Sequence, residues 1–367
     1  MLIQRLQVNN VRNLGRISLD TFQSINIFFG ENGSGKTSLL EAIHFLLMGR
    51  SFRHSQFKPL LRVGEEESTV FAQLLDLNQQ KISLGVSRRQ EGKPAIRRDG
   101  EKVQTLAELI QIAPLQVLNN DTFEMLIGGP AHRREYLDWG LFHVEPRFFP
   151  AWRLAQRALK QRNTLIRHAK IDRPQMELWS REYARYGEQL DSLRAEYFSK
   201  LMPCAQAVLA ELSPVVAEKL EAIYYRGWAK DQSLEDLLID GIDRDIQQGF
   251  TRAGPHRADL RVTSGPNAAA DVLSRGQLKI AVAGFYLAQA KLVGELANKK
   301  SIFLVDDLAA ELDAYHRRQF CNQLGNLGLQ VFVTCIDRED LKDCWQSTDQ
   351  PAVFHVEHGN ISPATFE

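Results

Sequence analysis

The chain has 367 residues, more than one hydrophobic core usually holds, so two domains or lobes are expected. A hydrophobic fraction of 44% and a charged fraction of 25% exclude a largely disordered chain, a collagen-like fibre and a disulfide-stapled miniprotein. Basic and acidic residues balance at 45 each, so any argument for a polyanionic partner has to come from local clustering.

In chain order, the first 40 residues read as short strands. Leu2, Leu6 and Val8 sit on a period of two, Arg16 to Phe22 is similar, and Ile25 to Phe29 is a compact buried strand. Arg5 in the alternating N-terminal segment favours a strand over a secretory signal. A Gly-rich turn follows, then a helix from about Thr37 to Met48. Residues 70–103 carry two or three further strands with a turn at Glu91-Gly92-Lys93-Pro94. From Gly128 to about Leu212 the period turns helical: Trp179, Tyr183, Tyr186, Leu190, Leu193 and Tyr197 step by four and three, the seam of a helix packed lengthwise on another. Past Thr251 the pattern returns to α/β, with a helix from Arg275 to about Leu296, a buried strand Ile302–Val305, a second helix, a strand Gln330–Thr334 and a hairpin around Val353–Ile361. The expected organisation is an α/β head in two pieces, 1–127 and 263–367, interrupted by a helical lobe, 128–262. The longest apolar runs, 43–48 and 280–287, are core-sized and fall short of the ~20 residues that cross a bilayer. Cys204, Cys321, Cys335 and Cys344 form neither a CxxC pair nor a zinc spacing, which fits an intracellular chain with free thiols.

Gly30-Glu31-Asn32-Gly33-Ser34-Gly35-Lys36-Thr37 satisfies GxxxxGK[ST] between a buried strand and a helix. Glycines let such a loop turn its backbone N–H groups inward onto a phosphate, and the helix N-terminus adds partial positive charge. Lys36 is placed to bridge the β- and γ-phosphates, and the Thr37 hydroxyl to hold Mg²⁺. The plain alternative is a glycine-rich strand–helix turn; a chance match in a chain of this length is on the order of 1 in 100.

The strand Ile302–Val305 ends in Asp306-Asp307. One carboxylate there can hold the metal through water and a second can orient an attacking water; two solvated acids at a strand end are the ordinary alternative. About 30 residues earlier, Leu273-Ser274-Arg275-Gly276-Gln277 opens a helix, with Ser274 a good N-cap and Gly276 allowing close backbone approach. Taken alone this pentapeptide is a capped helix.

Between Glu145 and Asp172 no acidic residue occurs, while Arg147, Arg153, Arg157, Lys160, Arg162, Arg167 and Lys170 are basic. At about 100° per residue, Arg153, Arg157, Lys160 and Arg167 share a stripe roughly 80° wide. Leu154, Ala155, Ala158, Leu159, Leu165, Ile166 and Ala169 fall opposite, and Arg162 lands among them. A stripe without interleaved acids suits phosphate tracking, although a charge run is more often a solvated helix face. A second cluster, Arg88-Arg89 with Arg97-Arg98, has acids mixed in.

Phosphate loop, signature pentapeptide and paired acids in this order resemble the ABC-type ATPases. Asn9-Asn10-Val11-Arg12-Asn13 matches the Asn-x-x-Arg-Asn element of their SMC-like DNA-repair branch. Gly49-Arg50-Ser51-Phe52-Arg53, Gly129-Pro130 through Arg133-Arg134 to Leu137-Asp138, and Gly254-Pro255-His256-Arg257-Ala258-Asp259-Leu260 extend the likeness over the whole chain. The resemblance implies a discontinuous ABC-type head and composite ATP sites, in which Ser274, Arg275, Gly276 and Gln277 of one subunit face the nucleotide held by Lys36 of a second. It further implies that Arg12 and Asn13 contact the nucleotide, that Asp306 is the Mg²⁺-associated acid, and that Asp307 stands at the catalytic Glu position. Ala310-Glu311-Leu312-Asp313 matches a dimer-contacting loop. The implied activity is that of a cytoplasmic recombination mediator: an ATP-dependent homodimer on duplex, gapped or single-strand-junction DNA that works with RecO and RecR in loading RecA. DNA repair, replication restart and the SOS response are its implied settings, with slow, DNA-stimulated ATP hydrolysis as the release step.

Two departures stand out. Thr334 and Cys335 occupy the region of the usual switch histidine, and Asn120-Asp121 replaces the usual Pro–acid pair between lobes. A transporter-type ABC subunit and a small-molecule phosphate-loop kinase are the alternatives. The first leaves the Asn-x-x-Arg-Asn element unexplained, the second the signature pentapeptide.

Overall fold

The computed structural model describes residues 1–54, 56–167, 172–345 and 350–366. Ala169 and Lys170, placed above near the end of the basic segment, lie outside the described residues. The chain divides into two compact units, Met1–Thr122 with Glu211–Ser213 and Lys279–Glu367, and Phe123–Ala210 with Pro214–Leu278. The second unit thus reaches 278 where the sequence put the end of the helical lobe at 262, so Ser274–Gln277 falls within it. Asn120-Asp121 opens a single 3₁₀ turn, Asn120–Phe123, at the division between the units.

Among the described residues the first unit holds two six-stranded sheets. One runs in the order Asn360–Ala364, Ala352–Glu357, Ile25–Phe29, Gln330–Cys335, Ile302–Val305, Leu115–Leu118, parallel throughout except for its first strand. Its central strands are apolar along nearly their whole length because both faces are covered, as parallel strands require. The other sheet is antiparallel, in the order Leu14–Leu19, Leu2–Val11, Glu67–Leu75, Lys81–Arg89, Ala95–Arg98, Glu101–Lys102. Its longer strands alternate buried and half-buried residues, the pattern of a sheet with one face on the core. Residues 70–103 therefore contribute four strands rather than two or three, because Asp99 and Gly100, both at positive φ, turn a further two-residue strand back on Ala95–Arg98.

The helix Lys36–Met48 packs against strands of both sheets and is buried on almost every side, which explains its unbroken run of apolar residues from Ala42 to Met48 apart from His44. Gly49, in the left-handed conformation, ends it by donating its N–H to Phe45 O at 2.9 Å.

In the second unit the helices Pro130–Val144, Phe148–Ile166 and Arg173–Leu212 make up most of the helical segment. The seam of the long helix is real: Tyr183, Leu190, Leu193 and Tyr197 are buried, with Trp179 and Tyr186 at its edge. Gly140 lets Tyr197 close on the first helix, since a Cβ there would meet the tyrosine oxygen at 2.0 Å. A small antiparallel sheet, Asn267–Ala268, Asp259–Ser264 and Glu221–Tyr225, completes the unit.

The helix Arg275–Ala297 is long and apolar enough to cross a membrane by length and composition, where the sequence showed only the run 280–287; 67% of its apolar window is buried, as in a core helix. No disulfide links the four cysteines.

Candidate functional site

The phosphate loop forms where the strand Ile25–Phe29 meets the helix Lys36–Met48. Gly30, at φ 149°, carries the tightest constraint, because a Cβ there would sit 2.2 Å from Val356 O. Ser34 O accepts the N–H of Gly359 at 2.8 Å, so the C-terminal hairpin holds the loop from one side. Asn13 holds it from the other: its Nδ2 donates to Gly33 O at 3.1 Å and its Oδ1 accepts from Ser38 Oγ at 2.7 Å.

Lys36 folds over the loop and donates to Gly30 O at 2.6 Å and Glu31 O at 2.9 Å. Burial pulls its ammonium below the usual lysine range, against the opposing pull of Asp307, Cys335 and Asp306. A buried ammonium bonded only to carbonyls has no full negative charge balancing it at contact distance, the setting an anion fits. Glu31, Asn32 and Gly33 are exposed at the loop tip, and Asn32, Gly33, Gly35, Lys36 and Thr37 line an open cleft of about 880 Å³ together with Arg12, Asn13, Arg53, Asp306, Asp307 and Thr334.

The paired acids arrive at this cleft from the end of Ile302–Val305, two strands along the sheet from Ile25–Phe29. Thr37 Oγ1 donates to the Asp306 carboxylate at 2.9 and 3.1 Å, and Thr334 Oγ1 donates to the same carboxylate at 2.8 Å. Burial raises the Asp306 carboxyl above the usual carboxylate range, opposed by the hydrogen bonds from Thr334 and Thr37 and by the charge of Arg53. One hydroxyl and one carboxylate are hard oxygen donors suited to Mg²⁺, which completes its shell with waters and phosphate oxygens rather than a protein cage. Asp307 is left-handed, at φ 56° and ψ 54°, and its side chain makes no capping bond to the helix Leu308–Glu311 that follows.

Several residues of this site were not assigned a role in the sequence. Glu41, fully buried, takes Arg12 through Nε at 2.7 Å and Nη2 at 3.0 Å, and accepts Ser51 Oγ at 2.5 Å. Ser51 in turn accepts the N–H groups of Arg53 and His54. Arg12 is itself left-handed, at φ 54°. The run Gly49–Arg53 thus presents Arg53 at the cleft and anchors Arg12; its only signal in the sequence was the family likeness. Thr334, conspicuous there as a missing histidine, binds both acids.

The signature segment lies in the second unit. Ser274 Oγ accepts the N–H of Gln277 at 3.2 Å while Gln277 Oε1 accepts that of Ser274 at 3.1 Å, a reciprocal cap. Ser274, Arg275 and Gly276 are exposed, and a Cβ on Gly276 would meet nothing within 4 Å. The glycine is therefore not required by packing among the described residues. In the first unit Lys279 ties down the loop Ala310–Asp313, donating to Ala310 O and pairing with Glu311, both at 3.0 Å.

The basic segment divides in two. Arg153, Arg157, Lys160 and Arg167 are all exposed on the helix Phe148–Ile166 and its C-cap, with no carboxylate partner among the described residues. Arg167 reaches only Gly249 O, at 3.5 Å. Arg162 is fully buried, pairing with Asp245 at 2.7 Å and bonding Ser180, Thr251 and Leu238 O. The sequence counted it among the basic residues; it belongs to the core of the unit.

Gly254-Pro255-His256-Arg257, which stood out in the sequence only through the family likeness, lies at the centre of a polar core. Arg194 pairs with Asp138 through two hydrogen bonds and donates to Pro255 O. Arg133 pairs with Asp259, Arg134 donates to Ala258 O, and Tyr183 bonds His256 at 2.6 Å. The two motifs 129–138 and 254–260 are thus one hydrogen-bonded structure.

A glycine-rich phosphate loop, a Thr37–Asp306 pair at the C-terminal edge of one parallel sheet and an accompanying signature helix define an SMC-like ABC-type ATPase. The family model of the RecF/RecN/SMC N terminal domain matches residues 2–362. The chain is 45% identical over 365 residues to the DNA replication and repair protein RecF of Pseudomonas paraeruginosa (strain DSM 24068 / PA7), covering 100% of this chain and 98% of that protein. It is 46% identical over 363 residues to the RecF of Pseudomonas syringae pv. syringae (strain B728a), covering 99% and 98%. A solved structure of the recombination mediator protein RecF with ATP, in the RecFOR pathway, superposes with a TM-score of 0.86 at 25% identity, covering 99% of this chain and 98% of that one. An SMC head bound to the C-winged helix domain of ScpA shares the fold alone, with a TM-score of 0.60 at 13% identity over 100% of this chain and 98% of that one. The chain belongs to this family, and within it to the RecF proteins of DNA replication and repair, which sets aside the transporter-type and small-molecule-kinase alternatives.

Proposed function

We propose that the chain is an ATP-dependent DNA-binding switch that closes as a homodimer around ATP at duplex DNA beside single-strand gaps and releases when the γ-phosphate is cleaved. The observation that carries this reading is the hydrogen-bonded set Thr37, Asp306 and Thr334 beside Lys36, which gathers phosphate and metal ligands at one cleft. The exposed Ser274–Gly276 segment supports the composite part of the reading, since a Cβ on its glycine would meet nothing among the described residues.

In this reading the N–H groups of residues 30–37 cradle the β-phosphate and Lys36 exchanges its carbonyl contacts for the β–γ bridge. Mg²⁺, held by Thr37 and Asp306, would neutralise charge on the phosphate oxygens. Asp307 positions the attacking water. Arg12 and Asn13, already anchored by Glu41 and Ser38, contact the nucleotide, and Ser274, Arg275, Gly276 and Gln277 complete the site from a second copy. Arg153, Arg157, Lys160 and Arg167 track DNA phosphates.

The RecF structure it resembles is of the RecFOR pathway. That likeness supports a role for the chain in the cytoplasm, working with RecO and RecR to promote RecA loading in repair, replication restart and the SOS response. Sedimentation with ATP or ADP, combined with ATPase rates with no DNA, single-stranded DNA and gapped duplex, tests the switch. ATP alone should produce the dimer, and DNA should accelerate a slow hydrolysis. A protein that stays monomeric with ATP and ignores DNA would rule the switch out.

A further inference from the structure

The basic stripe continues beyond its charges. On the same helix, one turn before Arg153, Phe149 falls at the angular position of Arg167 and within 20° of Lys160, taking about 100° per residue. Trp152 lies about 60° beyond Phe149, outside the stripe on its flank. Both rings are partly exposed. They are parallel to within 14°, with centroids 6.1 Å apart, and Phe142 of the preceding helix meets Phe149 edge to face at 5.5 Å and 86°. The result is a partly exposed aromatic surface that runs directly into Arg153 and Arg157.

Ordinary core packing does not account for it. The buried face of this helix is filled by Phe148, Ala151, Ala155, Ala158 and Ile166, on the side away from the stripe. Small alanines take the middle of the core face, while Phe149 shares the face of the charges and the bulky Trp152 flanks it. The nearest acid in sequence, Glu145, is held by Arg147, and no carboxylate among the described residues pairs with Arg153, Arg157 or Lys160. Cations without acids call for a polyanion, and aromatic faces beside them call for a polyanion that carries flat, exposed rings. A duplex hides its base faces inside the stack; a single strand presents them.

We propose that Phe142, Phe149 and Trp152 form a base-stacking platform for single-stranded DNA, continuous with the phosphate-tracking stripe Arg153, Arg157, Lys160 and Arg167. This rests on the DNA reading of that stripe. From Phe149 to Arg167 the helix rises about 27 Å, enough for a few nucleotides to lie along it, with bases stacked at the aromatic end and phosphates on the charges beyond. A gap edge, where a duplex gives way to free bases, would engage both parts.

The test uses the full chain with ATP and Mg²⁺ against three fluorescent probes about 16 nucleotides long, the upper end of the site sizes single-strand binders occupy: oligo(dT), an abasic strand of equal length and a blunt duplex. Phe149→Leu with Trp152→Leu keeps apolar volume but removes the π faces. It should weaken oligo(dT) about tenfold or more and leave the abasic strand and the duplex within twofold. Undiminished oligo(dT) binding, or equal losses on all three probes, would overturn the platform. So would loss of self-association with DNA binding intact, which would make the patch a protein interface. Independently of any variant's folding, tryptophan emission of the unaltered chain should be quenched by oligo(dT) and not by the abasic strand; no difference between them also overturns it. Arg153→Ala with Arg157→Ala should weaken all three probes. If that variant binds all three normally, the phosphate-tracking reading itself fails, an outcome distinct from failure of the platform alone.

Discussion

Thr334 Oγ1 accepts the backbone N–H of Asp307 at 2.8 Å, while the same hydroxyl donates to Asp306. One side chain on the strand Gln330–Cys335 therefore sets the position of both acids on its neighbour Ile302–Val305. Asp307 is left-handed with no side-chain cap bond, and its backbone is held by this hydroxyl at the N–H and by the Ala310 N–H at the carbonyl, at 3.0 Å. Thr334→Val keeps the shape and removes both bonds, leaving a part-buried N–H and the Asp306 carboxylate each short of a partner, a loss of roughly 1 kcal/mol or more. Hydrolysis should fall by one to two orders of magnitude with ATP affinity changed by less than tenfold. Equal loss of both in a nucleotide titration with single-turnover kinetics would show that Thr334 acts on the fold instead.

Asp307 stands one methylene short of a glutamate, about 1.5 Å less reach, and misplacement of ~1 Å can slow chemistry on the order of 10²-fold. Hydrolysis should accordingly be slow, with ATP binding as the working signal. Asp307→Asn should bind ATP, dimerise and hold DNA longer than the unaltered chain. Single-turnover measurement decides this: a rate of tens per second, or undiminished hydrolysis by the Asn variant, would remove Asp307 from the chemistry.

ATP and not ADP should drive the two-fold dimer. Ser274→Arg, on an exposed cap, should abolish ATP-dependent dimerisation while leaving monomer ATP binding nearly intact. Lys36→Ala should lose phosphate binding and the dimer together. Sedimentation of the two variants separates the halves of the composite site, and an unchanged dimer in Ser274→Arg contradicts it.

Arg157 and Arg162 are five residues apart and should behave as opposites. Replacing two of Arg153, Arg157, Lys160 and Arg167 by Ala should flatten the slope of log K against log salt by roughly one unit per lost phosphate contact, with thermal stability unchanged. Arg162→Ala leaves Asp245 buried and short of its main partner, a loss of about 3–5 kcal/mol. Its denaturation midpoint should drop sharply. A salt slope identical to the unaltered chain in the exposed variants would return the stripe to a solvated face.

Burial pulls His44 and His256 down to about 4, against an ordinary value near 6.5. Between those values the unfolded chain takes up protons that the folded chain refuses, so stability should fall as pH drops from 6.5 toward 4. The loss is about 3 kcal/mol for the fully buried His44 and less for His256. Urea midpoints at pH 7 and pH 5 should differ, and His44→Gln, which can still donate to Arg50 O, should reduce the difference.

What the sequence determined by itself is what short-range pattern encodes. The strands Ile25–Phe29 and Ile302–Val305 showed as unbroken apolar runs, because a parallel strand covered on both faces has no polar side. The phosphate loop showed because its glycine spacing is a local backbone requirement, and the Tyr183–Tyr197 seam because helical periodicity repeats every turn. Arg162 showed as an anomaly, a charge at an apolar angle, but not as a core ion pair, since Asp245 lies 83 residues away. Glu41 behind Arg12, Thr334 beside Asp307, and the joining of 129–138 to 254–260 were invisible for the same reason. Each is a contact between segments that only chain closure brings together, and no periodicity or spacing within one segment specifies which distant side chain will satisfy a buried polar group. Tertiary structure decided those pairings, through the register Val305 to Val333 that sets Thr334 beside the acids and the packing that left arginines without water.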